Sequence, residues 1–285
     1  MMPLTAAHVV LAVGAGVLTG VLSAAFGVGG AVISTPAIRA LGVTAIFAIG
    51  TTLPSILPGA ATGTARYAGE RLIDAQAVRW TAPSGILAAV AGSALSHVVP
   101  GNGHLLMILT AGLIGSTAIR MARTRGRGAT DQPEVLAEYE PETDAVAAPR
   151  AHQVAPGGGV VPSPPILVLI GAAAGLLSGL LGIGGGVIMV PAFTELARIP
   201  LKTAIATSLA CVGLFAVPGT LAHWRLGDID WATAGLLSLG VVPGARLGAR
   251  LAITARDARL RLVVAAFLGA AAVLYAGGEI MSLVR

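Results

Sequence analysis

Apolar residues run along this chain in stretches of about 20, the length a helix needs to cross a hydrocarbon core, with charges gathered in short clusters between them. Eight stretches can be read, at roughly 8–38, 45–64, 76–98, 104–122, 166–194, 202–221, 231–253 and 260–282. They fall into two groups of four, so residues 1–122 and 166–285 read as first and second transmembrane repeats. Residues 123–165 differ in character. They open with Arg123, Arg125 and Arg127, turn acidic from Asp131 to Asp144, and end rich in Pro, Gly and Ala. Such a segment buries too little apolar surface to offset its ordering entropy, so a flexible cytoplasmic linker is expected there. The pattern predicts an all-α membrane protein.

The first stretch of each group carries the same interruption. Ser23–Ala24–Ala25–Phe26–Gly27–Val28–Gly29–Gly30, closed by Pro36, recurs 155 residues later as Ser178–Gly179–Leu180–Leu181–Gly182–Ile183–Gly184–Gly185, closed by Pro191. After a one-residue slip the halves go on matching. Gly50–Thr51–Thr52–Leu53 answers Ala206–Thr207–Ser208–Leu209, and Ile73–Asp74 answers Ile229–Asp230. Matches spread over a whole half argue for duplication. Glycine clusters closed by proline break helices, and matching breaks in two halves point to a binding site at a repeat interface.

Composition agrees. The 285 residues are 55% hydrophobic and 11% charged, against roughly a quarter charged in a soluble domain. Mean hydropathy is +0.85 and the pI about 10.3. The basic excess does not point to nucleic acid, because the arginines cluster at the ends of apolar runs. One cysteine, Cys211, permits no internal disulfide and no cysteine-based metal cluster. The N-terminal run lacks a positive leader and flows into the first glycine motif, so it reads as part of the membrane domain. The expected partners are a small anion and the lipid bilayer, with no cofactor and with self-association left open.

Arginine also bears on topology. Arg120, Arg123, Arg125 and Arg127 place the linker side inside, which leaves the loop near residues 96–104 outside. The equivalent loop of the second half carries Arg250, Arg256, Arg259 and Arg261 and belongs inside. Equivalent loops on opposite sides mean inverted repeats, two sets of four segments. Inversion requires an odd number of crossings per half, and a glycine-broken, re-entrant first helix in each supplies it.

A half-helix beginning inside a membrane offers unpaired N–H groups at its positive end, a ready anion site. The candidate substrate-binding residues are Ser23, Gly27, Gly29, Gly30, Thr51 and Thr52 in the first half, with Ser178, Gly182, Gly184, Gly185, Thr207 and Ser208 in the second. Arg246 joins them as a vestibule residue. It lies about 22 Å along its helix from Trp231, one turn from Arg250. The competing readings are close helix packing for a lone glycine motif, backbone bonding for the hydroxyls, and snorkelling for the arginines. Neither motif fits G-x-G-x-x-G, since Val187 occupies the last position in the second copy.

The two glycine blocks, Ala206–Thr207–Ser208–Leu209, the Gly227–Asp228–Ile229–Asp230 turn and the PGARLGARLA run at 243–252 resemble the sulfite exporter TauE/SafE family, also called 4-toluene sulfonate uptake permeases. In the first half Ala31 stands where Gly186 stands in the second, and Arg71–Leu72–Ile73–Asp74 replaces the Gly-Asp-Ile-Asp turn. The resemblance implies a multi-pass plasma-membrane carrier of sulfite, sulfoacetate or other organosulfonates. No Asp or Glu falls in the middle of stretches two, three, four, six or seven, where proton-coupled carriers keep a buried acid. Export needs no coupling ion, because an inside-negative potential expels anions, so export leads over uptake. A membrane enzyme or assembly factor is the further alternative, disfavoured by the lack of a nucleophile near a base.

Overall fold

The computed structural model describes residues 6–40, 43–96, 104–123, 163–181 and 184–284. The expected linker lies almost wholly outside them. The described residues form ten α-helices and no strand: α1 (Ala6–Phe26), α2 (Ala31–Ala40), α3 (Ala45–Gly69), α4 (Ala75–Ser96), α5 (His104–Arg123), α6 (Pro164–Leu181), α7 (Gly186–Glu195), α8 (Leu201–Leu226), α9 (Trp231–Thr254) and α10 (Asp257–Val284). Each predicted apolar stretch is occupied by helix, and the first stretch of each half is occupied by two. Among the described residues, three helices are long and apolar enough to cross a membrane by length and composition: His8–Phe26, Leu201–Leu226 and Trp231–Thr254.

The turns that join helices repeat between halves. Leu72 N–H bonds Tyr67 O at 3.2 Å after α3, and Asp228 N–H bonds His223 O at 3.0 Å after α8, the six-to-one closure of a helix C-terminus. Asp74 Oδ1 then accepts from Ala77 N–H at 3.0 Å, and Asp230 Oδ1 from Ala232 N–H at 3.1 Å, so each Asp caps the next helix.

Packing joins the halves rather than separating them. Helix α1 runs parallel to α9, and small residues set the distance. A Cβ on Gly16 would strike Leu237 O, one on Gly240 would strike Val13 O, and one on Gly248 would strike Val21 O. Helices α4 and α6 repeat the arrangement, with Gly175 against the Gly85 backbone, Gly179 against Ala89 O and Gly92 against Leu176 O. Membrane helices come this close where glycine removes the side chain. Helices α3 and α8 cross antiparallel instead. Leu53 lies by Gly219, Ala60 by Gly213 and Gly63 by Leu209, so the centre of the crossing falls near residues 58–59 and 214–215. Helices α5 and α10 are also antiparallel, with Gly115 beside Ala272 and Gly269 beside Ala118. Exchanging each helix for its counterpart turns this set of pairs into itself.

Candidate functional site

Helix α1 stops where the glycines begin. Gly27 N–H still bonds Ser23 O at 2.8 Å, but Gly27 takes φ 65° and Gly29 φ 81°, left-handed values that glycine adopts without a steric penalty. Helix α2 then folds back along α1, bringing Ile38 against Ala15. Its 10 residues reach only about 15 Å. The second half does the same. Gly184 takes φ 80° and Gly185 φ 68°, and the 10-residue α7 returns along α6, with Met189 and Phe193 packed among Leu167, Ile170 and Ala174. Gly182 lies outside the described residues.

The two breaks touch. A Cβ on Gly184 would lie 3.4 Å from Gly29 Cα and 3.2 Å from Val212 Cγ1, and one on Gly186 would lie 2.6 Å from the Val28 carbonyl carbon. Gly27 presses equally closely on α8, where its Cβ would come within 2.6 Å of Ile205 O. Ser208 Oγ donates to Gly27 O at 2.7 Å and so tethers the first break to the second half. Val28, Ala31, Val187 and Gly184–Gly186 are all buried, and the cluster is closed to solvent.

The remaining candidates divide. Ser23 and Ser178 are buried at the ends of α1 and α6 that lead into the breaks. Thr52 donates to Ala48 O of its own helix at 2.7 Å, with its Oγ1 3.4 Å from Thr35 Oγ1 on α2. Thr51 and Thr207 each brace a turn of the opposite half. Thr51 Oγ1 accepts from Asp230 N–H and Thr207 Oγ1 from Asp74 N–H, both at 3.0 Å. Arg246 is not brought into the cluster. It stands exposed on α9 with Arg250, lining a groove shared with α3.

Two further side chains, absent from the candidate set, lie buried beside it. Tyr67 is 1% exposed and its hydroxyl donates to Ala24 O at 2.6 Å, inside the first motif. His223, its counterpart in the duplication, is also 1% exposed, with Nδ1 3.2 Å from Asp228 Oδ2. Both face inward from the last turn of their helix, where a ring needs a polar partner once buried. Their equivalent positions were the available signal. Lys202 donates to Ile253 O at 2.9 Å and sits 3.7 Å from Asp257 Oδ1, which latches the α9–α10 turn.

The sequence model described as "Sulfite exporter TauE/SafE" matches residues 12–275. The chain belongs to that family. A probable membrane transporter protein of Xylella fastidiosa (strain 9a5c) is 29% identical over 252 residues, 87% of each chain. The probable membrane transporter protein YunE of Bacillus subtilis (strain 168) is 40% identical over 84 residues, 30% of this chain and 29% of that one. MamO of Magnetospirillum gryphiswaldense, also named a probable membrane transporter, is 29% identical over 188 residues, 61% of this chain and 30% of its own length. No solved structure matches. As a TauE/SafE member the chain is a membrane transporter.

Proposed function

We propose that this TauE/SafE protein exports small sulfur-containing anions, sulfite or organosulfonates, across the plasma membrane, with the two glycine breaks as its midplane site. Two left-handed glycines, Gly29 and Gly184, one from each half, meet in backbone contact where two half-helices begin, and that observation carries the reading. The N-termini of α2 and α7 meet at this contact, where glycine lets an anion approach backbone N–H groups. In the closed arrangement Ile33 N–H is engaged by Gly30 O at 3.2 Å, Gly186 N–H by Gly184 O at 2.8 Å and Ile188 N–H by Gly185 O at 3.2 Å. These bonds would exchange for a solute as the breaks part. In the closed arrangement described here the breaks must part before a solute enters. Antiparallel α3 and α8, equivalent helices meeting at mid-length, support residues 1–122 and 166–285 as inverted repeats. A divalent anion gains about 4.6 kcal/mol from 100 mV inside-negative, a bias of about 2,000-fold outward without a coupling ion.

Counterflow of labelled sulfite in proteoliposomes tests this, run beside sulfonates, sulfate and chloride. Saturable sulfite exchange that responds to imposed voltage is expected. Gly29→Val and Gly184→Val should each abolish it while the protein stays inserted, since a branched side chain fits neither the left-handed backbone nor the contact. Unchanged flux in both variants would remove the site.

A further inference from the structure

Helix α9 carries an unusual stripe on its outer face. Leu239, Pro243, Leu247 and Leu251 are exposed there, the mark of a face turned to lipid, and Arg246 and Arg250 stand exposed among them. Across a groove of about 1250 Å³, α3 adds Arg66 and the small residues Ala61, Thr62 and Ala65. Arg66 is held 3.2 Å from Glu70, but among the described residues neither Arg246 nor Arg250 has a carboxylate partner. Depth sharpens the problem. Val241 lies against Gly59, at the centre of the α3–α8 crossing. Arg66 is then about 10 Å, Arg246 about 8 Å and Arg250 about 14 Å along their helices from that level, toward the same side. Arg250 at that level lies near the edge of a hydrocarbon core about 30 Å thick, within snorkelling reach of the headgroups. Arg246 is deeper, so an anion entering the groove would meet both.

We propose that this groove holds one anionic phospholipid, its phosphate against Arg246 and Arg250 and an acyl chain along Leu247 and Leu251. Arginine suits the ligand, since its planar fork pairs two N–H groups with phosphate oxygens. A second copy of the chain would have to bring a carboxylate to the depth of Arg246, and the described acidic residues outside α10 lie at helix ends. The groove lies on the outer side of α3 and α9 and contains none of the break residues, which separates it from the solute site. The proposal takes only its depth scale from the inverted-repeat reading.

The full-length protein, delipidated in neutral detergent, is offered equal phosphatidylglycerol and phosphatidylcholine and examined by native mass spectrometry. Preferential retention of one phosphatidylglycerol is expected. R246Q/R250Q should weaken it roughly thirtyfold, from the attraction of two basic residues to an anionic leaflet. Equal retention of both lipids by the unaltered protein overturns the proposal without any variant. So does unchanged retention in a folded R246Q/R250Q protein, displacement of the lipid by millimolar inorganic phosphate alone, or a dimer mass that the same substitutions abolish. Retention is read without transport, so a failed counterflow assay leaves this result standing.

Discussion

At Arg71 the backbone takes φ 54°, and at its counterpart Gly227 it takes φ 78°. The same helix-ending turn is therefore built once with glycine and once with a side chain that crowds the neighbouring carbonyl, a strain on the order of 1 kcal/mol. Arg71→Gly should stabilise the protein by about 1 kcal/mol, read as a rise in the thermal midpoint in detergent. An unchanged or lower midpoint would mean that other contacts of Arg71 outweigh the strain. The substitution of Arg71–Leu72 for Gly227–Asp228 was legible in the sequence, and so were the paired caps Asp74 and Asp230. The partners of Thr51 and Thr207 were not, because each bond joins residues more than 130 positions apart. A sequence lists hydroxyls without showing that the oxygens of Thr51 and Thr207 accept from amides of the opposite half, or that Thr52 and Ser208 donate to the carbonyls of Ala48 and Gly27.

At the scale of elements, glycine plays two separate roles in the same helices. Gly244 of α9 faces α1, and a Cβ there would enter Val17 O, whereas Gly235 of the same helix has nothing within 4 Å. Gly244→Leu should cost about 3 kcal/mol or more by forcing the helices apart. Gly235→Leu should be neutral or slightly stabilising, since leucine favours helix over glycine. Chemical unfolding in mixed micelles separates the two, and equal losses would sink the packing account. The breaks at Gly27–Gly30 and Gly184–Gly185 could be read from sequence because glycine clusters and proline act locally. Helix pairing could not. Nothing local in α1 says that it packs beside α9 rather than beside α3.

For the whole molecule, the two threonine bonds form an exchange: each half secures a turn of the other. Thr51→Val and Thr207→Val keep shape and remove one acceptor each, so each should cost about 1 kcal/mol. Being in different turns, the two losses should add within about 0.5 kcal/mol in the double variant. A loss from only one of them, measured by the same unfolding assay, would deny the equivalence of the two halves. The matching of the two halves was legible, because similar short elements recur at nearly constant spacing outside residues 123–165. The closed state of the breaks was not, since closure depends on how two distant loops meet. The parallel pairing of α1 with α9 also has a consequence for biosynthesis. Translation reaches Trp231 about 200 residues after it leaves Phe26, a delay of roughly 10–40 s at ordinary elongation rates. Throughout that interval the earliest helix sits in the membrane with its glycine seam facing lipid or a temporary escort, waiting for a companion that the ribosome has yet to make.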